Sequence, residues 1–88
     1  MRVYVKHPGC NWMELNISGS LEDLQALVGG HIETVPLMHD EIMLVNEEGR
    51  VYDLPVNKVG KSVYRGSVVL VGVDGEEFTD APKMSMAF

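Results

Sequence analysis

Ser20-Leu21-Glu22-Asp23-Leu24-Gln25-Ala26-Leu27-Val28-Gly29-Gly30-His31-Ile32-Glu33-Thr34-Val35-Pro36-Leu37 writes one helix and the start of a strand in a single run. Ser20 can accept from the orphan amides of a first helical turn, and Asp23 stands where a capping box places its acceptor. Leu21, Leu24, Leu27 and Val28 recur at helical spacing, which predicts a rod of about nine residues with one apolar face. Gly29-Gly30 ends it, because glycine adopts the left-handed conformation of a C-cap. Ile32, Thr34, Val35 and Leu37 then open a β-rich run, expected from His31 to Met38. Pro36 cannot donate to a ladder and marks that run as an edge or a strand end.

Upstream, Val3 and Val5 alternate with Arg2, Tyr4 and Lys6, and Met13, Leu15 and Ile17 alternate with Trp12, Glu14 and Asn16. With His7-Pro8-Gly9-Cys10-Asn11 as the turn, residues 1–17 read as a hairpin. Downstream, His39-Asp40 is a turn and Ile42 to Val45 a short strand. Asn46-Glu47-Glu48-Gly49 is expected to close a second hairpin, with Gly49 at positive φ and Arg50 to Leu54 as the returning strand. Pro55 to Ser62 reads as irregular. Ser67 to Val73 is almost continuously apolar, the mark of a central strand buried on both faces. Asp74-Gly75 signals a further turn, and Met84, Met86 and Phe88 predict a tail packed at a sheet edge or subunit contact. The expected fold is α+β: a small antiparallel or mixed sheet of about six strands with one short helix on one face.

The chain has 88 residues, of which 45% are hydrophobic and 23% charged. That composition predicts a single folded domain over 1–88 with a marginal core, of the kind that self-association completes. The net charge of −6 repels nucleic-acid backbones. It could mimic nucleic acid toward a basic partner, but its scattered carboxylate pairs read first as a solubilising surface. One cysteine, Cys10, cannot form an internal disulfide, and no apolar run reaches membrane-spanning length; both predict a cytoplasmic protein with no membrane partner.

Catalytic and metal signatures are not what this sequence offers. His7, His31 and His39 lack chelating intervals, Cys10 sits in a turn without a helix N-terminus, and Glu47-Glu48 and Glu76-Glu77 adjoin turn glycines. No enzyme, cofactor or metal is therefore expected. The basic residues, by contrast, are unevenly placed: Arg50, Lys58, Lys61 and Arg65 fall in one segment, interleaved with Tyr52 and Tyr64 and flanked by Asn46 and Asn57. Arginine forks onto phosphate oxygens, asparagine reads a base or ribose edge, and tyrosine stacks on a base. The residues expected to hold a small nucleotide-like ligand are Asn46, Arg50, Tyr52, Asn57, Lys58 and Arg65. The competing expectation is that they form the polar face of a hairpin, with Trp12 a packing anchor.

The run from Leu24 to Leu37, followed in order by Asn46-Glu47-Glu48-Gly49, Leu54-Pro55-Val56-Asn57-Lys58 and Val71-Gly72-Val73-Asp74-Gly75-Glu76-Glu77-Phe78, resembles the family called domain of unknown function 3846. Asn46, Gly49, Pro55, Asn57, Asp74 and Gly75 fall on its motif positions. The resemblance implies a setting in tailed phages and bacterial mobile elements. In that setting the expected function is a non-enzymatic, anti-defence-like accessory protein that sequesters a nucleotide-derived signal in pockets of a homo-oligomer. The alternative is an acidic inhibitor or adaptor that binds a host enzyme.

Overall fold

The computed structural model describes residues 1–37 and 40–83. Met38 and His39 of the expected third strand and turn, and the expected packing of Met84, Met86 and Phe88, fall outside the described residues. The chain runs β1 (Arg2–Lys6), β2 (Met13–Asn16), α1 (Leu21–Val28), β3 (Ile32–Pro36), β4 (Glu41–Asn46), β5 (Val56–Val59), β6 (Ser62–Arg65), β7 (Val68–Asp74) and β8 (Glu77–Thr79). The main sheet has the order β2-β1-β7-β4-β3, with β8 also paired to β7, and β5 and β6 form a separate two-stranded sheet. Every pairing is antiparallel. The α+β expectation is met, with strands dominating and the short helix on one sheet face.

α1 forms as its sequence requires. Ser20 Oγ accepts from the Asp23 amide at 3.1 Å. The Asp23 carboxylate does not close the reciprocal half of the box on Ser20; it accepts from the Ser18 amide and hydroxyl instead. Gly29 takes φ 82°, and the amides of Gly29 and Gly30 both return to the Gln25 carbonyl. Leu24 and Val28 are buried, whereas Leu21 is 60% exposed and lies off the packed face. The helix is anchored by its middle and end rather than by all four expected apolar positions.

Alternation along the strands splits the core in two. Val3, Val5, Leu44, Val69 and Val71 meet Leu24 and Val28 of α1 on one face. On the other face, Met43, Val45 and Val68 are covered by Val59 and Tyr64 of the β5–β6 hairpin, and Tyr4, Leu70 and Ala81 by Trp12. The domain thus has three layers, and β7 is buried on both sides because each side has a cover.

Two expectations are corrected here. No returning strand forms over 50–54, because β4 already has β3 on one edge and β7 on the other. The chain folds instead into successive turns, with Tyr52 N–H donating to the Glu48 carbonyl at 3.0 Å and Leu54 N–H to Gly49 at 2.9 Å. The supposedly irregular 55–62 contains β5 and turns into β6 through Gly60-Lys61, where Gly60 has φ 59°. The described residues hold eight strands, the short β8 following the Asp74-Gly75 turn.

Candidate functional site

The end of β4, the turns that follow it and strand β6 enclose a cleft of about 380 Å³. Gly49 makes this arrangement possible. A Cβ there would lie 2.7 Å from the Arg65 carbonyl oxygen and 2.9 Å from the Arg65 Cβ, so only glycine lets the turn approach β6 so closely. The reason for glycine is contact rather than the expected positive φ; the left-handed residue of this turn is Asp53, at φ 49°.

Arg50, Asn46, Tyr64 and Arg65 border the cleft, together with Glu33 and Glu47. Arg65 Nη1 donates to Asp53 Oδ1 at 3.1 Å and to the Leu54 carbonyl at 3.3 Å. That clamp fixes the guanidinium while its Nε and Nη2 donors have no partner among the described residues. Arg50 is exposed, and its guanidinium has no hydrogen bond or ion pair among the described residues, although its carbonyl accepts from the Asp53 amide. Two cationic forks with spare donors therefore face one concavity, an arrangement suited to oxygen-rich anions.

The other expected site residues are placed elsewhere. Asn57 is fully buried. Its Nδ2 donates to the carbonyls of Lys6 and Gly66 at 2.8 and 2.9 Å, while its Oδ1 accepts from Lys6 Nζ at 2.8 Å. It ties the β5–β6 hairpin to the end of β1. Asn46 borders the cleft, but its amide is also spoken for. Nδ2 donates to the Val28 carbonyl at 3.1 Å, satisfying an orphan acceptor at the end of α1, and Oδ1 accepts from the Glu48 amide at 2.8 Å. Tyr52 and Lys58 are exposed and do not line the cleft. The structure thus brings together Arg50, Arg65 and the edge of Asn46, and adds Glu33, Glu47 and Val63. Glu33 comes from a distant strand that only the β3–β4 register puts beside the cleft, for it pairs with Val45.

The histidines among the described residues are tied to a neighbouring side chain or exposed. His7 Nδ1 meets Ser67 Oγ, and His31 lies 3.7 Å from the Glu48 carboxylate at the surface. Among the described residues no helix is long and apolar enough to cross a membrane.

Taken together, the chain is a strand-dominated α+β domain with a cleft at one end of its central sheet that is lined by two arginines and two glutamates. It belongs to the family described as Domain of unknown function (DUF3846), which it matches over residues 1–87. No curated protein and no solved structure matches it.

Proposed function

We propose that this is a non-enzymatic binding protein that holds a small, anionic, nucleotide-derived molecule in the Arg50–Arg65 cleft. The observation that carries this reading is the convergence of two guanidiniums with spare donors on one cleft of about 380 Å³, in a chain whose net charge is −6. Clefts of about 300–1,000 Å³ hold ligands of this size. Glu33 and Glu47 share the lining, and the net charge of −6 disfavours long polyanions, so the reading is of a small ligand met by the two guanidinium forks rather than of a general polyanion surface.

Self-association is part of the proposal. Val63 borders the cleft and is 57% exposed, and Val51, next to Arg50, is 77% exposed. A second copy laid over them would remove apolar surface from water at about 25 cal/mol per Å² and shield the bound anion, strengthening its contacts with arginine. Such enclosure suits sequestration of a signalling molecule, an anti-defence role in a phage or mobile-element setting that requires affinity and no turnover.

Thermal-shift measurements with cyclic and linear nucleotides and ADP-ribose derivatives test the reading. A ligand at a hundredfold excess over its Kd adds about 2.7 kcal/mol of stability. In a domain of this size that corresponds to a rise in Tm of about 10–20 °C. Arg50→Ala should abolish the shift while leaving the unliganded Tm unchanged; a retained shift in both Arg50→Ala and Arg65→Ala removes the cleft from the site. The second reading, an acidic protein-binding inhibitor or adaptor, draws on the outer strands β2 and β3, each paired on one side only in the sheet order. It predicts no response to any nucleotide and a stable complex with a host enzyme.

A further inference from the structure

A second cleft, of about 250 Å³, lies beneath the same β5–β6 hairpin. Tyr64 borders both clefts. Along β4 the first is reached at Val45 and the second at Met43, which the pleat places on the same face about 7 Å apart. The walls of the second cleft include Trp12, Tyr64, Met43 and Leu70, and its one charged lining residue is Glu41. Glu41 is half-buried, and its carboxylate has no hydrogen-bond or ion-pair partner among the described residues.

We infer that this second cleft takes the base of the ligand whose phosphate lies at Arg50 and Arg65, and that Glu41 makes the preferred base guanine. This rests on the reading of the first cleft as an anion site. Three features carry it. The volume is below the range of about 300–1,000 Å³ that holds drug-sized ligands, and suits one ring system rather than a whole nucleotide. The walls are apolar and carry two aromatic rings, surfaces on which a planar base stacks. An ionised carboxylate only accepts hydrogen bonds, so the edge that meets Glu41 must donate. Guanine presents its ring N1–H beside its exocyclic amino group, two neighbouring donors for the two oxygens of one carboxylate. Adenine and cytosine offer one amino group next to a ring acceptor, and uracil offers one N–H between two carbonyls. Direction then follows from the arginines, which only the first cleft has: base toward Glu41, anion toward Arg50 and Arg65.

Trp12 is the sole tryptophan, so its fluorescence reports on the second cleft directly. Titration of the intact protein with guanosine, adenosine, uridine, guanosine 5′-monophosphate and ribose 5-phosphate separates the two clefts. Guanosine should quench Trp12 with at least about tenfold higher affinity than adenosine, and the monophosphate should bind more tightly still. Glu41→Gln, with an unchanged denaturation midpoint, should weaken guanosine by about tenfold or more and level the preference among bases. Arg50→Ala should weaken the monophosphate and leave guanosine unaffected. Equal affinities for guanosine and adenosine, or a preference that survives Glu41→Gln, overturn the inference. If the monophosphate raises Tm in an Arg50-dependent way without quenching Trp12, the base cleft fails and the anion cleft stands. If guanosine quenches Trp12 but the phosphate adds nothing, the anion cleft fails instead. No quenching by either guanine compound overturns the inference outright.

Discussion

Replacing Asn57 by alanine separates a structural role from a ligand-reading one. The side chain is fully buried and donates to two backbone carbonyls while accepting from the Lys6 ammonium. Alanine removes all three bonds. The Gly66 carbonyl, whose bond is buried, is then left without this donor, which costs about 1–3 kcal/mol. The bonds to Lys6 are part-buried, so water can replace them in part, and about 1–2 kcal/mol is assigned to both together. The sum, about 2–5 kcal/mol, compares with roughly 4–13 kcal/mol expected for the whole stability of a domain this long. Urea denaturation followed by circular dichroism should show a midpoint lowered in proportion, with an unchanged m-value, and Tm should fall by about 10 °C or more. Lys6→Met should cost less, and the double variant should cost less than the two single changes combined, since the residues share a bond. An Asn57→Ala protein within 0.5 kcal/mol of wild type (roughly the noise of surface substitutions) that no longer binds nucleotide would refute this reasoning and return Asn57 to the site.

Three further substitutions probe the layers and the turn. Leu24→Ala should destabilise by about 2–5 kcal/mol, since Leu24 is buried between α1 and the sheet. Leu21→Ala, at a position 60% exposed on the same helix, should stay within about 0.5 kcal/mol, and the contrast is read by paired urea titrations. Gly49→Ala forces a Cβ against the Arg65 carbonyl at 2.7 Å, so it should cost about 1–3 kcal/mol and weaken nucleotide binding by displacing the turn that carries Arg50; calorimetric titration beside a melting curve checks both.

Elements decided by neighbouring residues were legible in the chain. The Ser20 cap, the diglycine stop, the 1–17 hairpin and the doubly buried strand β7 each depend on a local signal: a cap, a positive-φ residue, or period-two alternation. Residues 50–54 misled because a turn followed by Val51, Tyr52 and Leu54 has the local look of a hairpin. Whether it pairs depends on whether β4 has a free edge, and β7, more than twenty residues later, fills that edge. The β5–β6 hairpin was hidden for the converse reason. Its inner face is a mixture of Asn57, Val59, Ser62 and Tyr64, so the period-two pattern is diluted, and only the two-residue Gly60-Lys61 loop signals it.

That hidden hairpin also limits how far the site could be read. A strand apolar on both faces, as Val68 to Val71 is, demands a layer on each, and one short helix supplies only one. The segment that looked like a solvated basic loop is the second layer. Its inner residues consequently take structural duties: Asn57 becomes a buried tie and Tyr64 a wall. Among its outer and turn residues Arg65 pairs with Asp53 through Nη1 only, and the side chain of Arg50 stays unpaired among the described residues. Residue type alone could gather Asn46, Arg50, Tyr52, Asn57, Lys58 and Arg65 into one group, but the places that β4, the turns after it and the hairpin give them divide the group. Arg50 and Arg65 reach the cleft; Asn57 points inward; Tyr52 and Lys58 lie away from it. On the proposed reading, ligand binding depends on the same packing event that completes the core, so variants that loosen the hairpin should lose stability and binding together, whereas Arg50→Ala should lose binding alone.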